Sequence, residues 1–581
     1  MGKHNSNMKR SYEKLTVVVR QDKSIDFVVR RIAISSKIVA HPGLAVVLDK
    51  NNILLGVVTD SDIRRAYASD IPFSNPVSKI MIKRPITVLA NTNDDQVISE
   101  VMRKIQMDSR HESLWVRHIL VVDNKNKFVD IIDFIDAIQQ TNTSVTKVAV
   151  FGMGYVGLTL SVSLANRGHQ VVGVDINENL INRLNSGESH VHEPGLNHMM
   201  TFNLNRQKIK FSNTINQDTS QVYIVAVGTP LDSNSKPELK ALKGVLKVIA
   251  TKLKFGDQVV LRSTVPAGTT REIVVPYLES NSGLQAGKDF FVSFAPERTI
   301  EGAAMVELKT LPQIVGGYSV KCLKKGVEFW STLTSTVVHM DSLEAAELVK
   351  LANNTFRDIS FAFANELALL ADKYNTNAFT LINGANEGYP RNKIPLPSPG
   401  VGGYCLTKDP VLFSSTSKGL REGAVMGLSS RKINERATLY PIELLRRYAF
   451  KNGKRFSELV VLIMGVAFKG VPETTDIRGS VSIDIMKVLT KQVKKVYGWD
   501  AVINASELQT YGFCTTESLA NSVDRSDVVL ILNNHPNNVQ LEVFQTSDSG
   551  RLIFDGWNQL DAMEVEKVKN IEYATMGYMT Q

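Results

Sequence analysis

Cysteine is scarce: Cys322, Cys405 and Cys514 are the only three in 581 residues. Three thiols cannot build a disulfide framework, so the composition suits a reducing cytoplasm. Long apolar runs are missing as well. No stretch approaches the ~18 residues of a transmembrane helix, and the opening MGKHNSNMKRSYEK lacks the apolar core of a secretory signal. Gly2 and Ser6 fit the loose myristoylation pattern, but a pattern that short arises by chance. Charge of one sign is modest, with a formal balance of +9. Residues 1–143 hold 21 Lys and Arg against 16 Asp and Glu, so over half of the excess lies in the first quarter. Long runs of like charge and basic–aromatic interleaving are both absent, which leaves nucleic-acid binding without support. What is present is 43% hydrophobic and 22% charged, a globular composition that excludes disorder or collagen. At this length roughly three or four domains are expected.

The first quarter contains a repeat about 70 residues apart. LAVVLDKNNILLGVVTDSDIRRAY and RHILVVDNKNKFVDIIDFIDAI each read as two apolar strands around a polar hairpin turn. Each is followed by a short helix, DSDIRRAYA and DFIDAIQQ. The repeat resembles a CBS-domain pair, which implies an adenine nucleotide in the cleft between the units. The family's ligand-facing Ser/Thr and Asp stand here as Thr59 and Asp62, after Gly56; the second unit has Asp130, Asp133 and Asp136 instead. Carboxylates there repel phosphate, so at most one conventional nucleotide site is expected, with a ligand-free packing module as the alternative.

After the linker TNTSVT comes KVAVFGMGYVGLTLSVSLANRGHQVVGVDI: strand, glycine turn, helix, strand. Gly152, Gly154 and Gly157 form G-x-G-x-x-G, in the context where backbone N–H groups at a helix start receive a pyrophosphate. Asp175 follows at the end of the second strand, placed to accept from an adenosine ribose hydroxyl and to repel a 2′-phosphate. This favours NAD over NADP, with Tyr155 and Val156 completing the turn. Further strands end near Thr229, Thr264 and Glu297, as ligand-facing ends of an open parallel sheet should. From about 341 to 373 the pattern is one long Ala- and Leu-rich helix, and a second α/β pattern begins at ELVVLIMGVAFKG.

That long helix places Lys350 and Asn354 on one face, a turn apart, in apolar surroundings. In SPGVGGYCLTKDP, Cys405 follows Gly402 and Gly403 and precedes a helix expected to start near Asp409-Pro410. A thiol in that setting is expected to have a depressed pKa and to act as a nucleophile. Cys322 and Cys514 lack such a setting and read as structural.

From about residue 146 onward the chain resembles the UDP-glucose/GDP-mannose dehydrogenase family of nucleotide-sugar 6-dehydrogenases. The resemblance rests on GMGYVG, VGTP, STVPAGT, PER, ELVKLANNTF, GVGGYCLTKDP and GVAFKGVPETTDIRGS, in the family's order. It implies two Rossmann-like doubly wound parallel sheets joined by a long central helix, preceded by the α+β CBS pair. The expected domains are a CBS pair at 1–140, an NAD-binding domain at 144–338, a central helical and dimerisation domain at 339–450, and a UDP-sugar domain at 451–581. It also implies NAD-dependent oxidation of a sugar C6 alcohol to a carboxylate through a Cys405 thiohemiacetal and thioester. Lys350 and Asn354 then handle the proton and the C6 oxyanion, Glu297 serves thioester hydrolysis, and Asp409 and Thr264 position water. Lys469 and Arg478 match nucleotide-sugar ligands, although two more residues separate them than in the common pattern. Arg298, Arg357, Tyr389, Arg391 and Gly402 match further substrate contacts. The Glu-Arg pair and the PGVGGYC form resemble the UDP-N-acetylhexosamine branch, including UDP-N-acetylmannosamine dehydrogenases, more than UDP-glucose enzymes. The resemblance assigns no metal and no membrane, and it implies a homodimer or higher homo-oligomer. The competing readings are a one-step β-hydroxyacid or 6-phosphogluconate dehydrogenase, and a CBS nucleotide sensor on a dead dehydrogenase.

Overall fold

The computed structural model describes residues 16–35, 43–90, 92, 100, 101, 104, 118–133, 145–215, 220–391, 393–417, 423–544 and 550–579. Gly2, Ser6, Asp136 and the helix expected at DFIDAIQQ lie outside them. The chain divides into two compact units: Met1–Val222 with Met305–Leu311 and Glu328–Ser335, and Tyr223–Ala304 with Pro312–Val327 and Thr336–Gln581. Among the described residues, no helix is long and apolar enough to cross a membrane.

In the first unit the sequence repeat becomes two three-stranded sheets of one design. The first is β1 (Val17–Arg20), β2 (Leu44–Leu48) and β3 (Leu54–Thr59); the second is β4 (Thr87–Leu89), β5 (His118–Val122) and β6 (Phe128–Asp133). In each, the first pair is parallel, the second antiparallel, with a register shift one residue before the end of the middle strand. The registers pair Val47 with Gly56 and Val121 with Asp130, so the aligned positions correspond strand for strand. The hairpin tips also match. Asn52 and Asn126 both take positive φ, and Leu54 N donates to Asn126 O while Phe128 N donates to Asn52 O, at 3.0 and 3.2 Å. Leu44, Val46, Leu54, Leu120, Val122 and Ile131 form one shared core between the sheets. Helix α1 (Ile25–Ser35) packs its buried Val28 and Ile32 on the first sheet, and α2 (Asp60–Ala68) follows β3.

The same unit holds three parallel strands, β7 (Lys147–Phe151), β8 (Gln170–Val174) and β9 (Ile209–Ser212), with α3 (Tyr155–Asn166) between the first two. β7 is almost wholly buried, and α3 buries every residue from Gly157 to Ala165, Thr159, Ser161 and Ser163 included, so it has no solvent-facing polar stripe there.

The second unit holds the strands β10 (Val222–Val225), β11 (Gln258–Leu261), β12 (Phe291–Phe294), β13 (Gln313–Gly317) and β14 (Val337–Met340), in the order β14-β13-β12-β11-β10. β12 and β13 pair antiparallel, which departs from an all-parallel sheet. Helix α4 (Leu343–Lys373) starts at Ser342, whose side chain accepts from Ala345 N. α5 (Tyr404–Ser415) and α6 (Val425–Lys451) pack on it. A second sheet follows: β15 (Val460–Met464), β16 (Lys495–Trp499), β17 (Val528–Ile531), β18 (Arg551–Asp555), β19 (Ile571–Thr575) and β20 (Tyr578–Met579), in the order β16-β15-β17-β18-β19-β20. Its pairs are parallel except β19 with β20.

Thr59 and Asp62 form a capping box on α2. Asp62 Oδ2 accepts from Thr59 N at 2.8 Å and from Thr59 Oγ1 at 2.7 Å, while Asp62 Oδ1 binds Arg65. Replacing Thr59→Ala should therefore cost α2 about 1 kcal/mol, seen as faster amide hydrogen exchange over Asp62–Ala66. Unchanged exchange would contradict the cap.

Candidate active site

The glycine turn of the first unit has the form a dinucleotide pyrophosphate needs. Gly152 has φ +91°, and a Cβ on Gly157 would stand 1.8 Å from Gly152 O, so only glycine lets α3 approach the turn this closely. At Gly154 such an atom would meet nothing within 4 Å, and no side chain caps the helix there. The helix start therefore faces open space, where N–H groups and the dipole favour an anion. Asp175 secures the turn, its carboxylate accepting from Met153 N at 2.8 Å and Asn177 N at 3.0 Å. Tyr155 donates its hydroxyl hydrogen bond to the buried Glu193, and Val156 is half-buried. These residues fit NAD.

The chemistry-bearing side chains converge in the second unit. Lys350 and Asn354 are both buried on α4, 8% and 7% exposed, as their apolar setting required. Asn354 Nδ2 donates to Asp409 Oδ2 at 2.6 Å, and Lys408 Nζ donates to Asp409 Oδ1 at 2.5 Å. Asp409 is wholly buried and stands one turn beyond Cys405 on α5. This helix begins at Tyr404, not near Asp409-Pro410: Gly403, at φ +89°, is its N-cap, and Pro410 falls inside it. A proline is favoured in a first turn, but the left-handed glycine sets this boundary.

The two glycines before the thiol are sites of close approach. A Cβ on Gly402 would lie 2.6 Å from Gly479 O, and one on Gly403 2.9 Å from the Phe468 ring. Gly403 N donates to Gly479 O at 3.0 Å. The cysteine turn thus rests on the loop after β15, which also carries Lys469 and Arg478. A buried polar network holds the turn from the other side. Asp358 accepts from Ser430, Arg431 and Asn434 at 2.6–2.8 Å. Asn434 accepts from Asn365, which in turn accepts from Ser398 N.

Cys405 does not have the depressed pKa expected of it. Its side chain keeps accessible area, yet protein surrounds it closely enough that burial pushes the thiol up; Lys350 pulls it down, Asp409 raises it, Lys408 lowers it and Glu301 raises it. Lost hydration outweighs both the lysines and the helix dipole. Cys322 is fully buried and Cys514 half-buried, as packing residues are.

Glu297 is buried and spoken for. Its Oε2 accepts from Arg262 Nε and Nη2 at 3.2 and 2.5 Å, and its Oε1 from Arg298 N and Thr299 N at 2.7 and 2.8 Å. Burial alone would raise its pKa, but the Arg262 charge, the Thr299 N–H, the Arg262 hydrogen bonds and Lys350 together hold it below the usual carboxylate range. Its four hydrogen bonds hold it in one pose.

The two extra residues between Lys469 and Arg478 do not separate them: both meet Glu301. Lys469 Nζ donates to Glu301 O at 2.6 Å, Thr474 Oγ1 to Glu301 Oε2 at 3.4 Å, and Arg478 Nη2 stands 3.7 Å from Glu301 Oε1. Burial and then Asp476 push the Glu301 pKa up, while Arg478 and Lys469 oppose them. Asp476 clamps the Arg478 guanidinium at 2.9 and 2.6 Å, over the Tyr404 ring. Thr229 Oγ1 donates to Thr264 O at 2.5 Å, joining those two strand ends. The remaining expected contacts stand apart. Arg298 turns its guanidinium to Pro312 O. Arg357, Tyr389 and Arg391 are exposed, with Arg391 over the Tyr389 ring, and no hydrogen bond joins them to the cluster among the described residues.

Arg262 and Glu301 were not anticipated from the sequence. A charged residue closing the apolar strand QVVLR and a second glutamate four positions after Glu297 were the available signals.

Comparisons with known proteins give the family. The UDP-glucose/GDP-mannose dehydrogenase family matches over its NAD binding domain at residues 146–334, its central domain at 344–436 and its UDP binding domain at 462–562. CBS domains match at 15–69 and 77–140. The UDP-N-acetyl-D-mannosamine dehydrogenase of Pyrococcus horikoshii is 34% identical, over 71% of this chain and 95% of its own. That of Campylobacter jejuni is 30% identical, over 68% and 97%. A solved structure of the P. horikoshii UDP-D-ManNAc dehydrogenase superposes with a TM-score of 0.67 at 32% identity, covering 74% of this chain and 99% of the other. The chain belongs to the UDP-glucose/GDP-mannose dehydrogenase family and carries CBS domains ahead of it. It is an NAD-dependent nucleotide-sugar dehydrogenase, an oxidoreductase.

Because Lys350 lowers the Cys405 pKa, Lys350→Met should move the pH dependence of iodoacetamide alkylation at Cys405 to higher pH, as read by peptide mass spectrometry. A curve that stays in place or moves to lower pH would contradict this electrostatic assignment.

Proposed function

We propose that the enzyme oxidises the C6 alcohol of a UDP-N-acetylhexosamine, UDP-N-acetylmannosamine or UDP-N-acetylglucosamine, to the carboxylate through a covalent intermediate on Cys405. The observation that carries this reading is the meeting of Asn354 and Asp409 at 2.6 Å. It fixes the helix with Lys350 against the helix with Cys405. The names of the related mannosamine dehydrogenases favour the acetamido sugar over UDP-glucose.

Overall, the alcohol and one water become a carboxylate, releasing two hydrides and three protons. Bound NAD⁺ supplies the hydride acceptor, once for each oxidation. Lys350 and Asn354 stabilise the C6 oxygen as it loses its proton and C6 its first hydride. The resulting aldehyde is attacked by the Cys405 sulfur. Burial pushes the thiol up, so attack proceeds with loss of its proton, aided by the Lys350 charge. The thiohemiacetal loses the second hydride to become a thioester, which water cleaves, returning the thiol. Lys469 and Arg478, held in fixed poses, are suited to the diphosphate, and Thr264 and Asp409 to ordering the water. Glu297, held by its four hydrogen bonds, serves the hydrolysis of the thioester.

A second copy of the chain is the proposed partner of α4. Phe356, Phe363 and Leu370 recur every seven residues on it and are 71%, 55% and 57% exposed, the spacing of a helix–helix seam. For the N-terminal pair the proposal keeps at most one adenine-nucleotide site, at Thr59 and Asp62, although the capping box explains both side chains without a ligand.

Turnover of NAD⁺ against a panel of UDP- and GDP-sugars should give two NADH per acetamido sugar. Cys405→Ser should abolish acid formation while retaining UDP-sugar binding. One NADH per sugar, or unchanged acid formation by the variant, would contradict the covalent route. Phe363→Glu should reduce the mass measured by light scattering to that of one chain; an unchanged assembly would rule out this seam.

A further inference from the structure

Glu347 takes no part in the chemistry above, yet it is 1% exposed and lies one turn before Lys350 on α4. Its Oε2 accepts from Gly268 N at 2.6 Å, and its Oε1 accepts from Thr270 N at 2.9 Å and Thr270 Oγ1 at 2.5 Å. All three donors belong to the turn that begins at Thr264. The turn has further anchors: Thr229 Oγ1 donates to Thr264 O, Ala267 N donates to Thr416 Oγ1 at 3.3 Å, and just after it Arg271 pairs with Glu344 of α4 at the surface. Glu347 is thus a buried carboxylate joining the Thr264 turn to the helix that carries Lys350 and Asn354. A buried carboxylate is costly unless hydrogen bonds replace its lost hydration, and here three donors do so.

We propose that Glu347 is a positioning residue, whose ionised carboxylate clamps the 264–270 turn in register with Lys350 and Asn354. The proposal rests on the oxidation read above, in which Thr264 belongs to the site. The ionised carboxylate accepts all three as charge-assisted hydrogen bonds. A proton on Oε1 would reverse the bond to the Thr270 hydroxyl and leave the two N–H groups on an uncharged, weaker acceptor. Burial pushes Glu347 up to about 7, against the Thr270 and Gly268 hydrogen bonds and with help from Glu344. The charged groups around it are Glu344 on its own helix, paired with Arg271 at 2.5 Å, and Arg271 and Glu272 from the segment it clamps; Lys350 lies a turn further along α4. The clamp is therefore strongest above about pH 7 and weakens as the pH falls through that value.

The test is kcat and KM from pH 6 to 9 for the wild-type chain, Glu347→Gln and Thr270→Val, with NAD⁺ and the acetamido UDP-sugar. The wild-type kcat should fall on the acid side of about pH 7. Glu347→Gln should abolish that acid limb and lower kcat at pH 8.5 by about tenfold, with both KM values within about twofold. Thr270→Val, which deletes one donor and keeps the carboxylate, should retain the limb and lose about threefold in kcat. A Glu347→Gln enzyme with wild-type kcat and profile overturns the proposal, as does a Glu347→Gln enzyme whose kcat falls while the acid limb stays. If Glu347→Gln does not fold, Thr270→Val decides, and wild-type kcat at pH 8.5 overturns the clamp. Absence of NADH from the wild-type chain with every sugar defeats the oxidation reading and this inference together; a normal wild type with unaffected variants defeats this inference alone.

Discussion

A single carboxylate, that of Asp409, fixes the relation between the two helices on which the proposed chemistry depends. It has no exposed surface, and its two oxygens are taken by the Asn354 amide and the Lys408 ammonium. An unpaired charge at such depth is unfavourable by several kcal/mol, and removing one partner of a buried pair costs about 3–5 kcal/mol. The position of α5 against α4 is therefore narrowly defined, and with it the separation of Cys405 from Lys350. The glycines at 402 and 403 extend the same constraint to the loop of Lys469 and Arg478, since a side chain at either would displace Gly479 or Phe468.

Around that bond the charges alternate. Arg262 meets Glu297, Lys350 acts on both Glu297 and Cys405, and Lys408 meets Asp409. Lys469, Arg478 and Thr474 gather on Glu301, and Asp476 restrains Arg478. Each carboxylate is already bonded, so little reorientation is needed when charge develops at a substrate oxygen, which is where most electrostatic catalysis arises. The proposed nucleophile, Cys405, is the group among them whose pKa burial pushes up despite two neighbouring lysines.

Features carried by local pattern were legible in the sequence, and those made by distant contacts were not. G-x-G-x-x-G, the hairpins of the repeat and the helix from Leu343 to Lys373 follow from spacing, and the strands VYIV, QVVL and FVSF from short buried runs. β13 and β14 did not stand out, because QIVGG and VVHM are brief and carry glycine or polar residues. The antiparallel join of β12 to β13 has no local signature at all. The start of α5 was misplaced because Pro410 resembles a first-turn proline, whereas the positive φ of Gly403 is fixed by Phe468 and Gly479 more than sixty residues away. The direction of the Cys405 shift failed for a similar reason: a helix N-terminus can be read from sequence, desolvation cannot.

The central claim is a covalent sugar–sulfur intermediate at Cys405. It is tested most directly by acid-quenching the enzyme during turnover with NAD⁺ and UDP-N-acetylmannosamine and mapping the adduct by peptide mass spectrometry. The account predicts a nucleotide-sugar acyl group on the Cys405 peptide at early times that disappears as substrate is exhausted. A chain that turns over two NADH per sugar with an unmodified Cys405 peptide at every quench time, or with the adduct on another residue, would contradict it.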